Sequence, residues 1–437
     1  MSCRLNSRRW GVCLTLCLAL LSSAPRTFAD SIIQDHREEE PDSSFFYIPY
    51  AFYTVANGAA VGIWASKADK KEKQMSLGGT FFVSQKGAAL LGLIGEGLRH
   101  PRIPRLFMNG KAVTSYWREQ RAYISNNPHF SNQQAGSNSS SRNNFIEGDG
   151  FDNTFEAEFH YLLPLGDGKG NPVNTYVLDR GLLVSGATGG RRWNPLTTGR
   201  TDIGIKPFYQ TRDLGRLFTD KQTSGAELHL KHDNRDFPLN PSKGNFQQLR
   251  MVRDFGLAHN SETWTFIDAT AEQFFSLGES RKFRQRVLAL SAWTGDTPTA
   301  RRTATSRGTR LAHSAPYYRG AHLGGVRRLR GFQTGRFHGA SSVYYSAEMR
   351  LVPQGTPWLS QHDGLRTLNI SWWQIVPFVE LGRVANSWNP EKLHSHMKFS
   401  TGLSLRSMVK KALVRGDIAV SGETVNLWVY VGHPFAK

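Results

Sequence analysis

Near the C-terminus, apolar and polar side chains alternate over runs of about ten residues, and this period admits few folds. In 342–352, Val343, Tyr345, Ala347, Met349 and Leu351 fall on one side, and Tyr344, Ser346, Glu348 and Arg350 on the other. In 396–406, Met397, Phe399, Thr401, Leu403 and Leu405 alternate with His396, Lys398, Ser400, Gly402, Ser404 and Arg406. In 412–420, Val414, Ile418 and Val420 oppose Arg415 and Asp417. A helix would mix these sets around its surface, whereas a strand separates them onto two faces. Charged residues on one face and an apolar row on the other suit a wall between an aqueous lumen and lipid.

Weaker runs occur at 59–66, 74–83, 87–97, 105–117, 152–163, 176–187, 201–213, 225–234, 245–255, 262–276, 284–294, 374–385 and 424–432. With the three clear runs they predict an all-β chain, a membrane-spanning antiparallel β-barrel of about 16 strands. Phe45–Val55 is assigned as a lead-in segment, because counting it breaks the even strand number that leaves both ends in the periplasm. That register places the longest loop, 295–341, outside the cell, together with 67–73, 164–175 and 386–395. It also places 118–151 and 353–373 on the periplasmic side, against the rule of short periplasmic turns. Either those two segments form ordered caps there, or the register is off by one strand before residue 152.

The N-terminus reads as an export signal. Arg4, Arg8 and Arg9 precede the apolar stretch 11–24, and Thr27-Phe28-Ala29 offers a small-residue cleavage site before Asp30. Residues 1–29 are therefore expected to be a signal peptide, 30–44 a disordered acidic segment, and 45–437 the barrel. All three cysteines (Cys3, Cys13, Cys17) lie within the expected signal, so thiol catalysis, zinc–thiolate sites and disulfides are not expected in the mature chain. Nothing after Ala29 approaches the ~20 apolar residues of a spanning helix.

The formal charge of +19 falls to +15 without the signal. In a soluble protein this would suggest nucleic acid. Here Lys and Arg are spread through strands and loops, and anionic lipid head groups are the expected partner instead. No metal, cofactor or enzyme chemistry is expected. His394 and His396 lack further ligands, Asp149 and Asp152 lack calcium-loop spacing, and no serine nucleophile motif is present.

At 322–337 the chain reads HLGGVRRLRGFQTGRF. This segment resembles the long sixth extracellular loop of the BamA/TamA superfamily, the bacterial surface antigen family. Leu329-Arg330-Gly331-Phe332 matches the family's Val/Leu-Arg-Gly-Phe/Tyr motif, with Leu323-Gly324-Gly325 before it and Arg336-Phe337 after. Asp233-Asn234-Arg235-Asp236 with Pro241 and Gly244 is similar to its strand-turn signature. Glu348-x-Arg350 follows the loop, and Phe378-Val379-Glu380-Leu381-Gly382 resembles the family's Phe-x-Asp-x-Gly element, with Glu in place of Asp. The resemblance is close over 200–435 and general over 45–200. It implies a loop folded into the lumen, with Arg330 paired to Glu380, which strand parity turns inward. A bidentate carboxylate suits a guanidinium taken out of water.

The resemblance further implies protein assembly or translocation through a weakly paired seam, here between 59–66 and 424–432, weakened by Gly58, Gly62, Gly432 and Pro434. Client proteins or periplasmic accessory subunits would then be partners. The segment 30–44 is far too short for the polypeptide-binding domains that precede the barrel in full-length members. The alternative is a passive pore or structural barrel that kept the fold without the assembly role.

Overall fold

The computed structural model describes residues 32–36, 45–54, 58–69, 72–125, 127–130, 132–215, 221–305, 308–355, 370–409 and 412–431. The expected signal lies outside them, as do Gly432 and Pro434.

Sixteen antiparallel strands form one sheet in strict chain order. They are Phe45–Thr54, Gly58–Ala68, Ser76–Ser84, Ala89–Arg99, Leu106–Ala122, Ile146–Leu162, Arg200–Arg212, Lys221–Asp233, Gly244–Asp254, Trp264–Ser276, Phe283–Asp296, Ser341–Pro353, Ile370–Ala385, Lys398–Val409, Ala412–Ser421 and Val425–Val431. Among the described residues, no helix is long and apolar enough to cross a membrane.

The wall inverts the arrangement of a soluble protein. Leu381, Phe399, Leu403, Leu405, Ile418 and Val420 are exposed, while Glu348, Glu380, Ser400, Arg406, Arg415 and Asp417 on the opposite face are buried. Lipid satisfies the first set, and the polar lumen satisfies the second.

Two strand assignments change. Phe45–Thr54 is the first wall strand and pairs with Gly58–Ala68 along its length. Tyr50 is buried and its hydroxyl meets Thr80 Oγ1 at 2.7 Å. Pro49 cannot donate to a ladder, but a strand with one described neighbour tolerates it. The run 176–187 is no wall strand. Arg180 and Gly181 adopt positive φ (44° and 72°) and break it into Asn174–Asp179 and Leu182–Ser185. Neither piece reaches the ~9–11 residues that a tilted spanning strand needs. Together with Ile32–His36 they form a three-stranded sheet, in which Ile32–His36 pairs in parallel with Asn174–Asp179. The segment 30–44 thus contains a strand where disorder was expected.

These two changes keep the strand number and move the loops. The 123–145 segment joins 297–340 and 386–397 at one end, where Gln134 bonds Asn386 and the His338 amide bonds the Gly136 carbonyl. The segments 69–75 and 163–199 lie at the opposite end, not with the long loop as expected. Gln354, whose amide bonds the Lys282 carbonyl, also lies at that end, the side expected for 353–373; residues 356–369 lie outside the described residues. At that end Trp372 Nε1 donates to the Gly181 carbonyl at 2.9 Å, tying the small sheet to the wall.

The apolar core lies inside the lumen. Leu323, Leu329, Phe332 and Phe337 of the long loop pack against Phe208, Val252, Trp264, Phe266, Trp293 and Tyr344 of the wall. Burying each large side chain contributes ~1.5–3 kcal/mol, which offsets the entropy of ordering the loop.

Candidate functional site: the lumen loop and the last strands

The Leu329–Phe332 turn enters the lumen between Ser341–Pro353 and the three strands before the C-terminal one. Leu329 adopts a left-handed φ of 51°, strained for a branched residue and held there by complete burial. Gly331 is required by close approach, since a Cβ would lie 2.6 Å from the Val420 carbonyl. Gly324 (φ 102°) and Gly325 (φ 105°) form the turn that folds the loop back, and a Cβ on Gly324 would lie 2.2 Å from the Gln333 carbonyl. Gly382 leaves room for Leu323, whose Cδ1 lies 2.9 Å from where a Cβ would sit.

Arg330 is fully buried and reaches three carboxylates. Its Nε lies 2.9 Å from Glu380 Oε1, Nη2 lies 3.1 Å from Glu348 Oε1, and Nη1 lies 3.3 Å from Asp417 Oδ2. Its backbone N–H donates to Glu380 Oε2 at 2.6 Å. Phe378 lies beneath the guanidinium, 3.4 Å from ring centroid to Cζ. Tyr344 and Ser400 hydroxyls also donate to Glu380, at 2.7 and 3.1 Å. Glu380, standing where the family pattern has Asp, thus reaches both the guanidinium and the backbone N–H of Arg330.

The carboxylates are shared. Glu348 also meets Arg406 at 2.7 Å and Arg350 at 3.0 Å, and Asp417 pairs with Arg415. Asp417, Arg406 and Arg415 were placed on the polar face by alternation but not recognised as partners of the loop. The available signal was their shared inward parity with Glu380.

The loop also grips the end of the sheet. Arg330's carbonyl accepts from Trp428 Nε1 at 2.7 Å and Asn426 Nδ2 at 3.1 Å. Gly331's carbonyl accepts from Ser421 and Thr424 hydroxyls, each at 2.7 Å. Arg336 reaches Glu423 at 2.7 Å and the Ser140 carbonyl at 2.5 Å, so 123–145 roofs the loop. Phe332 and Phe337 pack edge to face at 5.1 Å. Burial, with Arg328 adding like charge, pulls the His322 imidazole of the loop down to about 3.

The Asp233–Gly244 signature lies at the other end, in the turn between two wall strands, and does not join this site. Arg235 Nη2 pairs with Asp233 at 2.6 Å, and Asp236 accepts from the Phe237 and Ser242 amides, each at 2.9 Å. Gly244 (φ 99°) passes against the Asn234 carbonyl, while buried Pro241 lies within the turn. These residues fix a turn rather than a binding site.

Replacing Gly331 with alanine should unseat the loop, at a cost of about 1–3 kcal/mol from overpacking. Thermal unfolding in micelles and protease cutting within 321–339 would show it. An unchanged midpoint with a protected loop would mean that the close approach at Val420 relaxes freely.

A sequence profile of the Omp85 superfamily domain matches residues 198–426, a little over half of the chain. The chain belongs to the Omp85 superfamily. Omp85 barrels are integral to the outer membrane, and so is this one. In structure it is similar to CdiB from Escherichia coli, with a TM-score of 0.52 at 10% identity over 90% of this chain and 63% of that one. BamA from Haemophilus ducreyi lacking POTRA domains 1-3 gives 0.46 at 11% identity, over 88% of this chain and 68% of that one. CdiB from Acinetobacter baumannii gives 0.46 at 10% identity, over 87% and 57%. The chain thus spans less than two thirds of either CdiB chain. No curated protein sequence matches it.

Proposed function

We propose that this Omp85 barrel is a non-catalytic machine that inserts or exports client polypeptides, admitting them where its first and last strands meet. The observation that carries this reading is the grip of the loop motif on the final hairpin. Ser421, Thr424, Asn426 and Trp428 all bond the Arg330 and Gly331 carbonyls. The loop is thereby wired to Val425–Val431, where the described ladder ends. A strand edge offers N–H and C=O groups to an incoming strand, which is how a wall can template a client.

The revised register moves the seam to Phe45–Thr54 and Val425–Val431. Gly58 and Gly62 therefore belong to the second strand. Gly62 makes room for the Tyr50 ring, since a Cβ there would lie 2.5 Å from it. Client polypeptides, and accessory subunits at the end that carries the small sheet, are the partners this reading requires.

Depleting the protein from cells should lower the amount of specific outer-membrane or exported proteins. Photocrosslinkers placed in Phe45–Thr54 should capture those same proteins in transit. Unaltered levels and no capture, with steady single-channel conductance, would reject the proposal in favour of a passive pore.

A further inference from the structure

At the loop end, a recess of about 410 Å³ opens between 123–145, the end of Ile370–Ala385 and the start of Lys398–Val409. Arg383, His396, Lys398 and His338 line it, with Ser137 and Ser139 offering hydroxyls, and no Asp or Glu is among the lining residues. The charges here are unlike those in the lumen, where Arg330 and its neighbours each have a carboxylate. Arg383 Nη1 donates only to the carbonyls of Ser395 and His396, and its Nε is buried without a hydrogen-bond partner. Lys398 lies 5.3 Å from the Phe337 ring centre, and the carboxylate whose charge reaches it, Glu423, is already paired with Arg336. His396 is exposed and sits at a left-handed φ of 45°, a strained position for an imidazole on a rim. Cations taken partly out of water normally have an anionic partner.

The surroundings indicate which anion. Leu381, next but one to Arg383, and Phe399, beside Lys398, are exposed on the lipid-facing side, and Trp388 is exposed in the adjoining turn. Apolar surface for acyl chains therefore runs up to Arg383, which shares the outward parity of Leu381, while Lys398, on the inward parity, lines the recess from the lumen side of the same strand ends. The volume exceeds what a bare ion needs and suits a sugar phosphate.

We propose that this recess binds the phosphate of a phosphorylated lipid head group in the outer leaflet. The lipid lays its chains on Leu381 and Phe399 and its phosphate against Arg383 and Lys398, with the serine hydroxyls completing the donor set. The proposal is independent of the assembly reading.

The test uses the full mature chain in micelles, with two probes: inorganic phosphate, and monophosphoryl lipid A beside its dephosphorylated form. Phosphorylated lipid should bind roughly tenfold or more tightly than the dephosphorylated form, the factor expected from one or two charge-assisted hydrogen bonds. R383Q/K398Q should remove that preference. R301Q/R302Q, at exposed positions of the hairpin 301–312 with the same charge loss, should leave it intact. Phosphate binding that the lipid displaces supports the head-group source. Phosphate binding that the lipid leaves untouched would overturn that source in favour of a soluble phosphate. If the double variant does not fold, the native protein still decides, because bound lipid phosphate should protect Arg383 from phenylglyoxal. Equal affinity for both lipids with no protection, or an undiminished preference in a folded double variant, would overturn the proposal.

Discussion

A disulfide drawn between Phe45–Thr54 and Val425–Val431 should abolish client handling and leave the barrel folded. Residues 30–437 contain no cysteine, so a chain cleaved at the expected site, or one with Cys3, Cys13 and Cys17 replaced, offers no competing thiol. Paired strands lie ~4.8 Å apart, within the ~6.8 Å between Cα atoms that a disulfide can join. Lateral opening must separate them further, so the bridge holds the seam shut. The measurement compares oxidised and reduced protein in the same vesicles, with reductant restoring activity. Full activity in the oxidised form would remove lateral opening from the mechanism. Failure to crosslink at every register would show instead that these two strands do not face one another.

Arg330→Ala should destabilise the barrel far more than Glu380→Gln. Among the described residues Glu380 has no ion-pair partner besides Arg330, so the alanine variant leaves a buried carboxylate with an amide and two hydroxyls. Breaking such a pair from the cationic side costs on the order of 3–5 kcal/mol in a dry site and less where water enters. In the converse variant Arg330 keeps Glu348 and Asp417, and the glutamine still accepts hydrogen bonds. The expected order of midpoints in micelles is wild type, then Glu380→Gln, then Arg330→Ala well below. Equal losses would mean that Glu348 and Asp417 contribute nothing to holding the loop.

Much of this was legible because the wall has a period of two and the lumen demands charge. Leu403, Leu405 and Ile418 outside, with Arg406, Arg415 and Asp417 inside, follow from alternation alone. Arg330 and Glu380 came from the motif combined with parity. Phe45–Thr54 was set aside because 176–187, counted as a wall strand, had already completed the even strand number. The run 176–187 alternates only weakly, and the tight turn at Arg180-Gly181 takes it out of the wall. Partners such as Asp417 for Arg330, or Ser140 for Arg336, depend on chain folding across 87 and 196 positions and leave no local trace.

The roof over the loop imposes an order of events on assembly. Ser140, Gly136 and Asn138 bond Arg336, His338 and Val384, so 123–145 sits across the entrance through which the loop reaches its seat. The seat itself is made by residues up to Trp428, synthesised after everything else that holds the loop. Contacts that close such long stretches of chain form late, because the entropy of closure is spent before they return anything. The loop must therefore reach its seat before the roof settles over it. Once both are in place, the loop can leave only if the roof lifts.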